Sequence, residues 1–388
     1  MKICVVTATY PMEGFGGVFI REQCEQLTAN GHEVCVLYSS GLQKSIHDLK
    51  VHQLEEKGVR VIYNCFPHYA TTYAPNFWCK VMLLQLKHLY RKLAEEKWKP
   101  DVFFAHFSFP AGRIATQLGQ EESIPVVIAE HWSGLINGKA KGGVLSIIQQ
   151  SLENASSVIC VSPALREAVG NIINRSDGIH VIPNMLSSDF RYFPRKKKDL
   201  FVFFSLGTLN EKKQFDLLIK TFAAAFGPDE NVQLRIGGSG PDENKLRQLI
   251  KEFDREHQIA LLGRLNREES IQEYALCDSF VLLSPKETFG IVYREAMAIG
   301  RPVISLDNGG INYAWRDENG IIIRCSPEDI YEQTIYALRK MVSTIDDYDL
   351  KHISDSTLEE FSANEVSVRI ENVLREAVIG GDQDMERE

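Results

Sequence analysis

The sequence lacks several features that would each have pointed to a class of protein. Its eight cysteines are scattered, without a Cys-x-x-Cys pair or a cysteine–histidine cluster at zinc spacing, which excludes a zinc module and argues against a disulfide scaffold. No apolar run approaches the ~20 residues that cross a bilayer. The start, "MKICVVTATYP", is too short for a signal peptide and predicts a buried first strand. We therefore expect a reduced, cytoplasmic protein.

Excess positive charge is missing as well. The formal net charge is -9, which argues against a nucleic-acid-binding protein, because phosphate backbones attract surplus Lys and Arg. A nicotinamide-dependent reductase also fails, since Phe19 stands where the third glycine of Gly-x-Gly-x-x-Gly belongs and "VLYSSG" offers no ribose-binding acid. Gly14, Gly16 and Gly17 still leave two alternatives for this loop, a phosphate-facing turn or a plain flexible one.

What the sequence does contain is a regular alternation of short apolar runs and helical patterns. Continuous apolar runs such as "DVFFAH" (101–106) and "SFVLLS" (279–284) predict strands of parallel sheets that are buried on both faces. The pattern breaks at "PNMLSSDFRYFPRKKKD" and then restarts. We therefore predict two Rossmann-like, doubly wound α/β domains that face a cleft. They comprise residues 1–183 and 200–362, with a linker at 184–199 and a C-terminal helix (363–380) that completes the first domain.

Two carboxylates stand out in "SPKETFGIVYREAMAIG". The helix is expected to begin near Phe289, which puts Glu287 in the loop and Glu295 about two turns into the helix. Their separation of ~10 Å along the helix matches the distance from a hexose across a diphosphate to a ribose. The alternative is a capping acid and an ordinary helical glutamate, which is a poor explanation of Glu295 because the rest of that helix is apolar.

Two lysines precede another predicted helix, in "SLGTLNEKKQFDLLIKTFAAAF". Lys212 and Lys213 are expected in its first turn, where each would oppose the helix dipole by ~0.3–1 kcal/mol. That placement favours contact with a bound anion over two solvated surface lysines.

Taken together, these motifs resemble glycosyltransferase family 4, whose members are retaining enzymes of the GT-B fold. "KETFGIVYREAMAIGRPVISLDNGG" is similar to the family's Glu-x7-Glu block and the Gly-Gly loop that follows it. "VIPNMLSSDF" resembles its Val-Ile-Pro-Asn linker, and "LGTLNEKKQFDLLIKTFA" its lysine-containing block. The resemblance covers nearly the whole chain.

The resemblance implies a role for each matching residue. Lys213 neutralises the diphosphate leaving group, Glu287 holds the donor sugar, and His131 lies near the reacting centre. The other donor-binding positions are Gly16, Gly17, Thr208, Lys212, Arg264, Phe289, Gly290, Ile291 and Glu295. Departures from the family pattern include Thr208, which replaces an arginine, and Tyr313, which stands where a glutamate often follows the Gly-Gly loop.

The implied reaction transfers a hexose-type sugar, with retention, from a nucleotide diphosphate sugar to a saccharide or lipid-linked hydroxyl in cell-surface polysaccharide synthesis. UDP is favoured over GDP, and the acceptor is expected at loops 66–76 and 132–143. No cofactor or metal is expected, because the Asp382–Asp384 pair lies in a polar tail. The basic amphipathic stretch 76–99 predicts either peripheral contact with the inner face of the membrane or a core helix with a solvated face.

Other functions stay open beside this one. A sugar-nucleotide-binding protein without turnover would keep the fold, although it would be expected to lose Lys213, Glu287 or His131, and all three are present. A sugar-nucleotide epimerase or a phosphorylase of the same fold is the other alternative.

Overall fold

The computed structural model of the chain describes residues 1–11, 17–40, 48–65 and 74–385. It divides into two compact units. The first contains Met1–Met185 together with Ala363–Glu388, and the second contains Leu186–Ser362. Each unit is a sheet covered by helices, as expected when strands are apolar on both faces.

The first unit is built on an eight-stranded sheet in the order β3-β4-β2-β1-β5-β6-β7-β8. All neighbouring strands are parallel except the edge pair β3 and β4. The strands are β1 (Lys2–Thr7), β2 (Glu33–Ser40), β3 (Asp48–Glu56), β4 (Val59–Cys65), β5 (Val102–His106), β6 (Val126–Glu130), β7 (Ser157–Cys160) and β8 (Ile179–Val181).

In the described part of this unit, the α-helices are α1 (Val18–Ala29), α2 (Pro75–Glu95), α3 (Arg113–Glu122), α4 (Gly142–Glu153), α5 (Pro163–Ile173) and the C-terminal α12 (Ala363–Met385). The last helix returns to the first unit and buries Val366, Ile370 and Leu374 in the same core as Val5 and Val36. An apolar stripe at this spacing is the usual way in which a helix is held to a sheet.

The second unit is a six-stranded, wholly parallel sheet in the order β11-β10-β9-β12-β13-β14. Its strands are β9 (Phe201–Leu206), β10 (Val232–Gly237), β11 (Ile259–Gly263), β12 (Ser279–Leu282), β13 (Val303–Leu306) and β14 (Gly320–Ile323). Its helices are α6 (Phe215–Ala225), α7 (Glu243–Glu252), α8 (Arg267–Leu276), α9 (Ile291–Ile299), α10 (Ile330–Thr344) and α11 (Leu350–Phe361).

Both sheets have a switch point, at which successive connections leave in opposite directions. In the first unit it lies between β1 and β5, and in the second between β9 and β12. Ligands of doubly wound sheets bind beyond the carboxyl ends of the strands at this point, because the loops diverge there and leave a crevice. The segments that follow β1, β5, β9 and β12 are therefore where a site is expected.

Several elements differ from the sequence prediction. Strand β3 was missed, because "DLKVHQLEE" is an edge strand of mixed polarity and lacks the apolar run of a central strand. The final helix continues to Met385 through residues predicted to be a disordered tail. The segment expected as a linker is held to the second unit, where Phe193 N donates to Ile299 O at 3.1 Å and Arg195 pairs with Asp278 at 2.6 Å.

Helix α2 places one apolar face in the core and exposes several of its cations. Cys79, Met82 and Leu86 are buried, whereas Lys80 and Arg91 are exposed. None of the helices in the described part of the chain combines the length and the apolar character needed to span a bilayer.

Candidate active site

The second unit brings the predicted lysine and the first predicted glutamate together at its switch point. Lys213 follows β9 and Glu287 follows β12, and the two side chains form an ion pair in which Nζ donates to Oε1. The lysine side chain is 24% exposed and the glutamate side chain 15%. In such a partly dry position the two charges interact more strongly than they would in open water.

The turn before α6 explains how Lys213 reaches that position. Glu211–Lys213 form a short 3-10 turn, Gln214 adopts a left-handed conformation (φ 51°), and α6 begins only at Phe215. The helix starts after Lys213, as expected, but the two lysines lie in this separate 3-10 turn and not in the first turn of α6, because Gln214 interrupts the helical path. Lys212 is exposed, and its carbonyl accepts a hydrogen bond from Ser284 Oγ at 3.4 Å.

Glu287 is fixed through its backbone by the loop that follows β13. Its N–H donates to Asn308 O at 3.2 Å, and Glu287 forms a bridge with Gly309. A Cβ atom added to Gly310 would lie 2.7 Å from the Cβ of Glu287, so only glycine fits there. The glycine of this loop is thus required for a steric reason, because the loop passes close to the segment that carries Glu287.

Helix α9 begins at Ile291, two residues later than predicted, and Glu295 lies just over one turn into it. Gly290 caps the helix at φ 72°, with the ring of Tyr293 directly beneath it. Along the chain, Glu287 therefore precedes the N-terminus of α9 and Glu295 follows it. The first backbone N–H groups of a helix have no intrahelical acceptor and favour an anion.

Glu295 is a largely buried acid, with its side chain 12% exposed, and it has the partners that the sequence analysis required. Its Oε2 accepts from Tyr274 Oη at 2.9 Å, and its Oε1 from Arg267 Nη1 at 3.3 Å. Burial raises the pKa of Glu295, while the charge of Arg267 and the hydroxyl of Tyr274 act in the opposite direction. The carboxylate is thereby held in one orientation, ready to accept further hydrogen bonds.

Arg294, the neighbour of Glu295, was missed by sequence reasoning. It is fully buried, and its guanidinium lies 5.5 Å and 5.2 Å from the ring centres of Phe289 and Phe361. Its Nη2 donates to the carbonyls of Gly310 and Ile311, both at 3.1 Å, and to that of Tyr313. Arg294 therefore holds the Gly-Gly loop against α9, and burial lowers its pKa to about 10.

In the first unit, His131 follows β6 and lies in a cluster of rings. Its Nε2 is 3.1 Å from Nδ1 of His106, the last residue of β5, and the ring of Phe19 lies 4.6 Å away. Burial lowers the pKa of His131 to about 3, against a smaller opposing effect of Asn184, and also lowers the pKa of His106. Both imidazoles are therefore neutral near pH 7.

Glu130, the residue before His131, positions the loop and was also missed. It is buried, and its carboxylate accepts from Ser108 N at 2.9 Å, from Ser108 Oγ, and from the N–H groups of His131 and Trp132 at 2.8 Å each. A carboxylate with four donors fixes the backbone that carries His131. The signal was present in "IAEHWSG", where an acid ends an otherwise apolar strand.

Comparison with known proteins identifies the family. Residues 188–343 match the family described as "Glycosyl transferases group 1", and residues 16–190 match "Glycosyltransferase Family 4". An uncharacterized glycosyltransferase of Methanocaldococcus jannaschii is 28% identical over 347 residues, which is 83% of this chain and 84% of that protein. The chain belongs to the group 1 glycosyltransferases of family 4.

Solved structures show the same fold. Sucrose-phosphate synthase from Thermosynechococcus elongatus superposes with a TM-score of 0.80 at 17% identity, covering 98% of this chain and 100% of that one. HepE of Anabaena, solved in complex with UDP-glucose, gives a TM-score of 0.71 at 18% identity, covering 97% and 100%. The predicted GT-B fold class is thereby confirmed.

The other predicted donor-binding residues of this glycosyltransferase occupy varied positions. Thr208 and Arg264 are exposed in the loops after β9 and β11, and the side chain of Phe289 is buried against Phe361. Gly17 caps α1 at φ 69°, and an added Cβ would lie 2.8 Å from Thr9 O. Gly16 and most of the loop 66–76 lie outside the described residues.

A second Asp-x-Asp, Asp347-Tyr348-Asp349, was passed over in the sequence. Asp349 is the N-cap of α11, where its Oδ1 accepts from His352 N at 2.9 Å. Asp349 therefore serves a helix end. Among the described residues, no group of three or more His, Cys, Asp or Glu side chains is arranged to hold a metal ion.

Proposed function

We propose that this glycosyltransferase moves a hexose-type sugar, with retention, from a nucleotide diphosphate sugar to a hydroxyl of a saccharide or lipid-linked acceptor. The observation that carries the proposal is the Lys213–Glu287 ion pair at the switch point of the second unit. On helix α9, which follows Glu287, the carboxylate of Glu295 is held by Tyr274 and Arg267. One cation and two oriented carboxylates match a diphosphate that lies between two hydroxylated sugars.

Each group then has a task. Lys213 and the N-terminus of α9 stabilise the charge that develops on the leaving diphosphate, which is electrostatic catalysis by preorganised donors. Glu287 accepts hydrogen bonds from the donor sugar and Glu295 from the ribose. His131 contributes a neutral imidazole. The donor-binding role extends to Gly16, Gly17, Thr208, Lys212, Arg264, Phe289, Gly290 and Ile291.

The bond changes follow from that arrangement. The bond between the anomeric carbon and the phosphate oxygen breaks, and its electron pair goes to the diphosphate. The acceptor oxygen bonds to the same face of the anomeric carbon, and its proton passes to the departing phosphate oxygen. Glu287 is engaged by Lys213 and acts on sugar hydroxyls, so a covalent intermediate on it is not part of the proposal. No metal or cofactor is invoked.

UDP is proposed as the nucleotide. The support is indirect, since the structurally similar HepE was solved with UDP-glucose. Saccharide synthesis at the cell surface and an acceptor site at residues 132–143 are part of the same proposal. For a lipid-linked acceptor, we propose that α2 contacts an anionic lipid surface.

The test is a thermal-shift panel of UDP-, GDP-, ADP- and TDP-glucose in the presence of EDTA. A donor at ~100 times its dissociation constant adds ~2.7 kcal/mol to the unfolding free energy of a protein that binds it only when folded. Lys213→Ala and Glu295→Gln are expected to abolish the shift. Lys245→Ala, which removes a 61%-exposed lysine, is the matched control and should keep it.

The outcomes separate the alternatives. A shift with one nucleotide, followed by transfer with an α-linked product by NMR, supports the proposal. A shift without transfer to any acceptor identifies a binding protein, and a donor converted into its epimer identifies an epimerase. Absence of any shift, or an equal shift in the Lys213 variant, refutes the donor site.

A further inference from the structure

Asn308 lies between β13 and the Gly-Gly loop, and the proposed reaction gives its side chain no task. The residue is 7% exposed. Its Nδ2 donates to Ser284 O at 3.0 Å, to Tyr293 Oη at 3.0 Å and to Ser305 Oγ at 3.2 Å. Its Oδ1 accepts from Ile311 N at 3.0 Å. One carboxamide therefore joins the segment after β12, helix α9, strand β13 and the Gly-Gly loop.

The backbone of Asn308 contacts the acid that is proposed to hold the donor sugar. Its carbonyl accepts from Glu287 N at 3.2 Å, and the next residue, Gly309, forms a bridge with Glu287. Lys213 holds the same acid at its carboxylate end. Because the side chain of Asn308 sets the position of its own carbonyl, the main chain of Glu287 is placed through Asn308.

Loss of the carboxamide would act on this same loop. The N–H of Ile311 and the carbonyl of Ser284 would both lose a partner, and both bonds are buried. Buried polar groups without partners are costly, so the loop is expected to rearrange until they are satisfied. That rearrangement moves the carbonyl at position 308, and Glu287 moves with it.

The second acid of the site has anchors of its own. Glu295 is held by Tyr274 and Arg267, and neither of these bonds involves Asn308. Helix α9 is also tied to β12, because Tyr293 Oη donates to Leu282 O at 3.0 Å. Removal of the Asn308 carboxamide should therefore displace Glu287 and leave Glu295 in place.

We propose that Asn308 is a positioning residue for Glu287 and thereby governs how well the site binds the sugar part of the donor, as distinct from its nucleotide part. The inference rests on the proposed function in one respect, which is that Glu287 contacts the donor sugar and Glu295 the ribose.

The experiment compares wild type with Asn308→Ala and Asn308→Asp. Calorimetric titration measures the dissociation constants of UDP-glucose and of UDP, or of the corresponding pair if the thermal-shift panel selects another nucleotide. The value of kcat is measured with the same donor. Asn308→Asp keeps the shape of the side chain and an acceptor for Ile311 N, but it places an oxygen against Ser284 O. Amide hydrogen exchange of the segment 284–290, followed by mass spectrometry without ligand, is the third readout.

Thr221→Val is the control for a general loss of stability. Thr221 is 0% exposed on α6, and its Oγ1 donates to Leu217 O at 2.8 Å. The substitution removes a buried hydrogen bond of the same unit with little change of shape.

The Asn308 variants are expected to lose affinity for the sugar alone. Their affinity for UDP should not fall, whereas that for UDP-glucose should fall by about tenfold, the effect of one hydrogen bond to a charged group. We expect kcat to fall by ~10 to 100-fold, since a misplacement of ~1 Å can reduce a rate by that much. Exchange of the segment 284–290 should be faster in both variants. Thr221→Val should behave as wild type in all three readouts.

An equal loss of affinity for UDP and UDP-glucose would overturn the inference, because the carboxamide would then support the whole site. Unchanged affinities and kcat in the Asn308 variants would overturn it as well. If Asn308→Ala does not fold, Asn308→Asp decides by the same criteria. If wild type binds no nucleotide sugar, the proposed function fails. Hydrogen exchange then still decides whether Asn308 places Glu287, and a rate equal to that of Thr221→Val would show that it does not.

Discussion

In each unit, a single buried polar residue fixes the backbone beside a predicted site residue. Arg294 reaches three carbonyls of the Gly-Gly loop from α9, and Glu130 collects four donors around the start of the His131 loop. Burying a charge is costly unless it is paired or hydrogen-bonded, so each of these residues defines the one backbone arrangement that satisfies it. Neither belongs to the matched motif residues, although both are adjacent to one.

The histidine pair gives the protein a calculable response to acid. Burial lowers the pKa of His106 and of His131, the latter to about 3, whereas an unfolded histidine titrates near ~6.5. Below that pH the unfolded chain binds more protons than the folded one, so stability is lost as the pH falls from ~6.5 towards the folded pKa. Each histidine contributes ~1.4 kcal/mol per pH unit in that window.

We therefore expect His106→Leu to lose less stability than wild type between pH 7.5 and pH 5.5, by ~1.4 kcal/mol in the free energy of unfolding. Urea denaturation at the two pH values measures the difference. His88→Leu, a substitution at an exposed histidine on α2, is the control and should follow wild type. Parallel losses in wild type and His106→Leu would show that His106 is not held neutral by burial.

At the scale of the element, the start of α9 depends on a glycine for two separate reasons. Gly290 has φ 72°, and an added Cβ would lie 2.5 Å from the ring of Tyr293. That ring cannot move freely, because its hydroxyl donates to Leu282 O at 3.0 Å and accepts from Asn308 at 3.0 Å. Both the conformation and the space therefore require glycine.

Gly263, the last residue of β11, allows the effect of backbone conformation to be measured without the effect of steric space. It has nearly the same conformation, φ 73°, but an added Cβ would meet nothing within 4 Å. Gly263→Ala should cost ~1 kcal/mol in unfolding free energy from backbone strain alone. Gly290→Ala should cost ~2–4 kcal/mol, because overpacking adds ~1–3 kcal/mol.

Denaturant unfolding of the two alanine variants gives these free energies directly. Donor binding should weaken only in Gly290→Ala, because that substitution displaces the N-terminus of α9. Equal costs for the two variants would show that Tyr293 yields without penalty, and the steric argument would then be wrong.

Elements with strong periodicity were predictable, and their ends were less so. The strands of the second unit coincide with apolar runs bounded by glycine and proline, since a central parallel strand is apolar on both faces. The predicted start of α9 was wrong because the sequence does not show whether Gly290 adopts a helical conformation or the positive φ that it has in the structure. The break before α6 was missed because Gln214, a residue that does not favour the left-handed region, occupies it.

At the scale of the whole molecule, helix α2 exposes large apolar side chains that take no part in the core. Phe77 and Leu84 are 60% and 67% exposed. Together with the exposed Lys80, His88 and Arg91 they recur every three or four residues, which places them on one face of the helix. An exposed stripe of apolar and basic side chains suits the surface of an anionic bilayer.

We expect the chain to bind vesicles that contain anionic lipid and not purely zwitterionic ones. Lys80→Glu combined with Arg91→Glu should weaken that binding at least tenfold, since each basic residue near the surface contributes ~1 kcal/mol. Lys245→Glu with Lys251→Glu on α7, both exposed, makes the same change of charge elsewhere and should have little effect. Cosedimentation measures both, and an equal loss in the two double variants, or no binding by wild type, would exclude the α2 surface.

The sequence by itself determined the strand–helix alternation, the family and the residue types of the proposed donor site. These follow from local periodicity and from motifs in which the spacing along the chain carries the information. Lys213, Glu287 and Glu295 could all be named from such motifs.

Only the tertiary structure decided which groups meet. Lys213 and Glu287 are 74 residues apart and come together because β9 and β12 are neighbours in the sheet. His106 meets His131 because β5 and β6 are neighbours, and α12 enters the first unit because its apolar stripe matches a core formed far earlier in the chain. Such pairings depend on long-range packing, which no local pattern encodes.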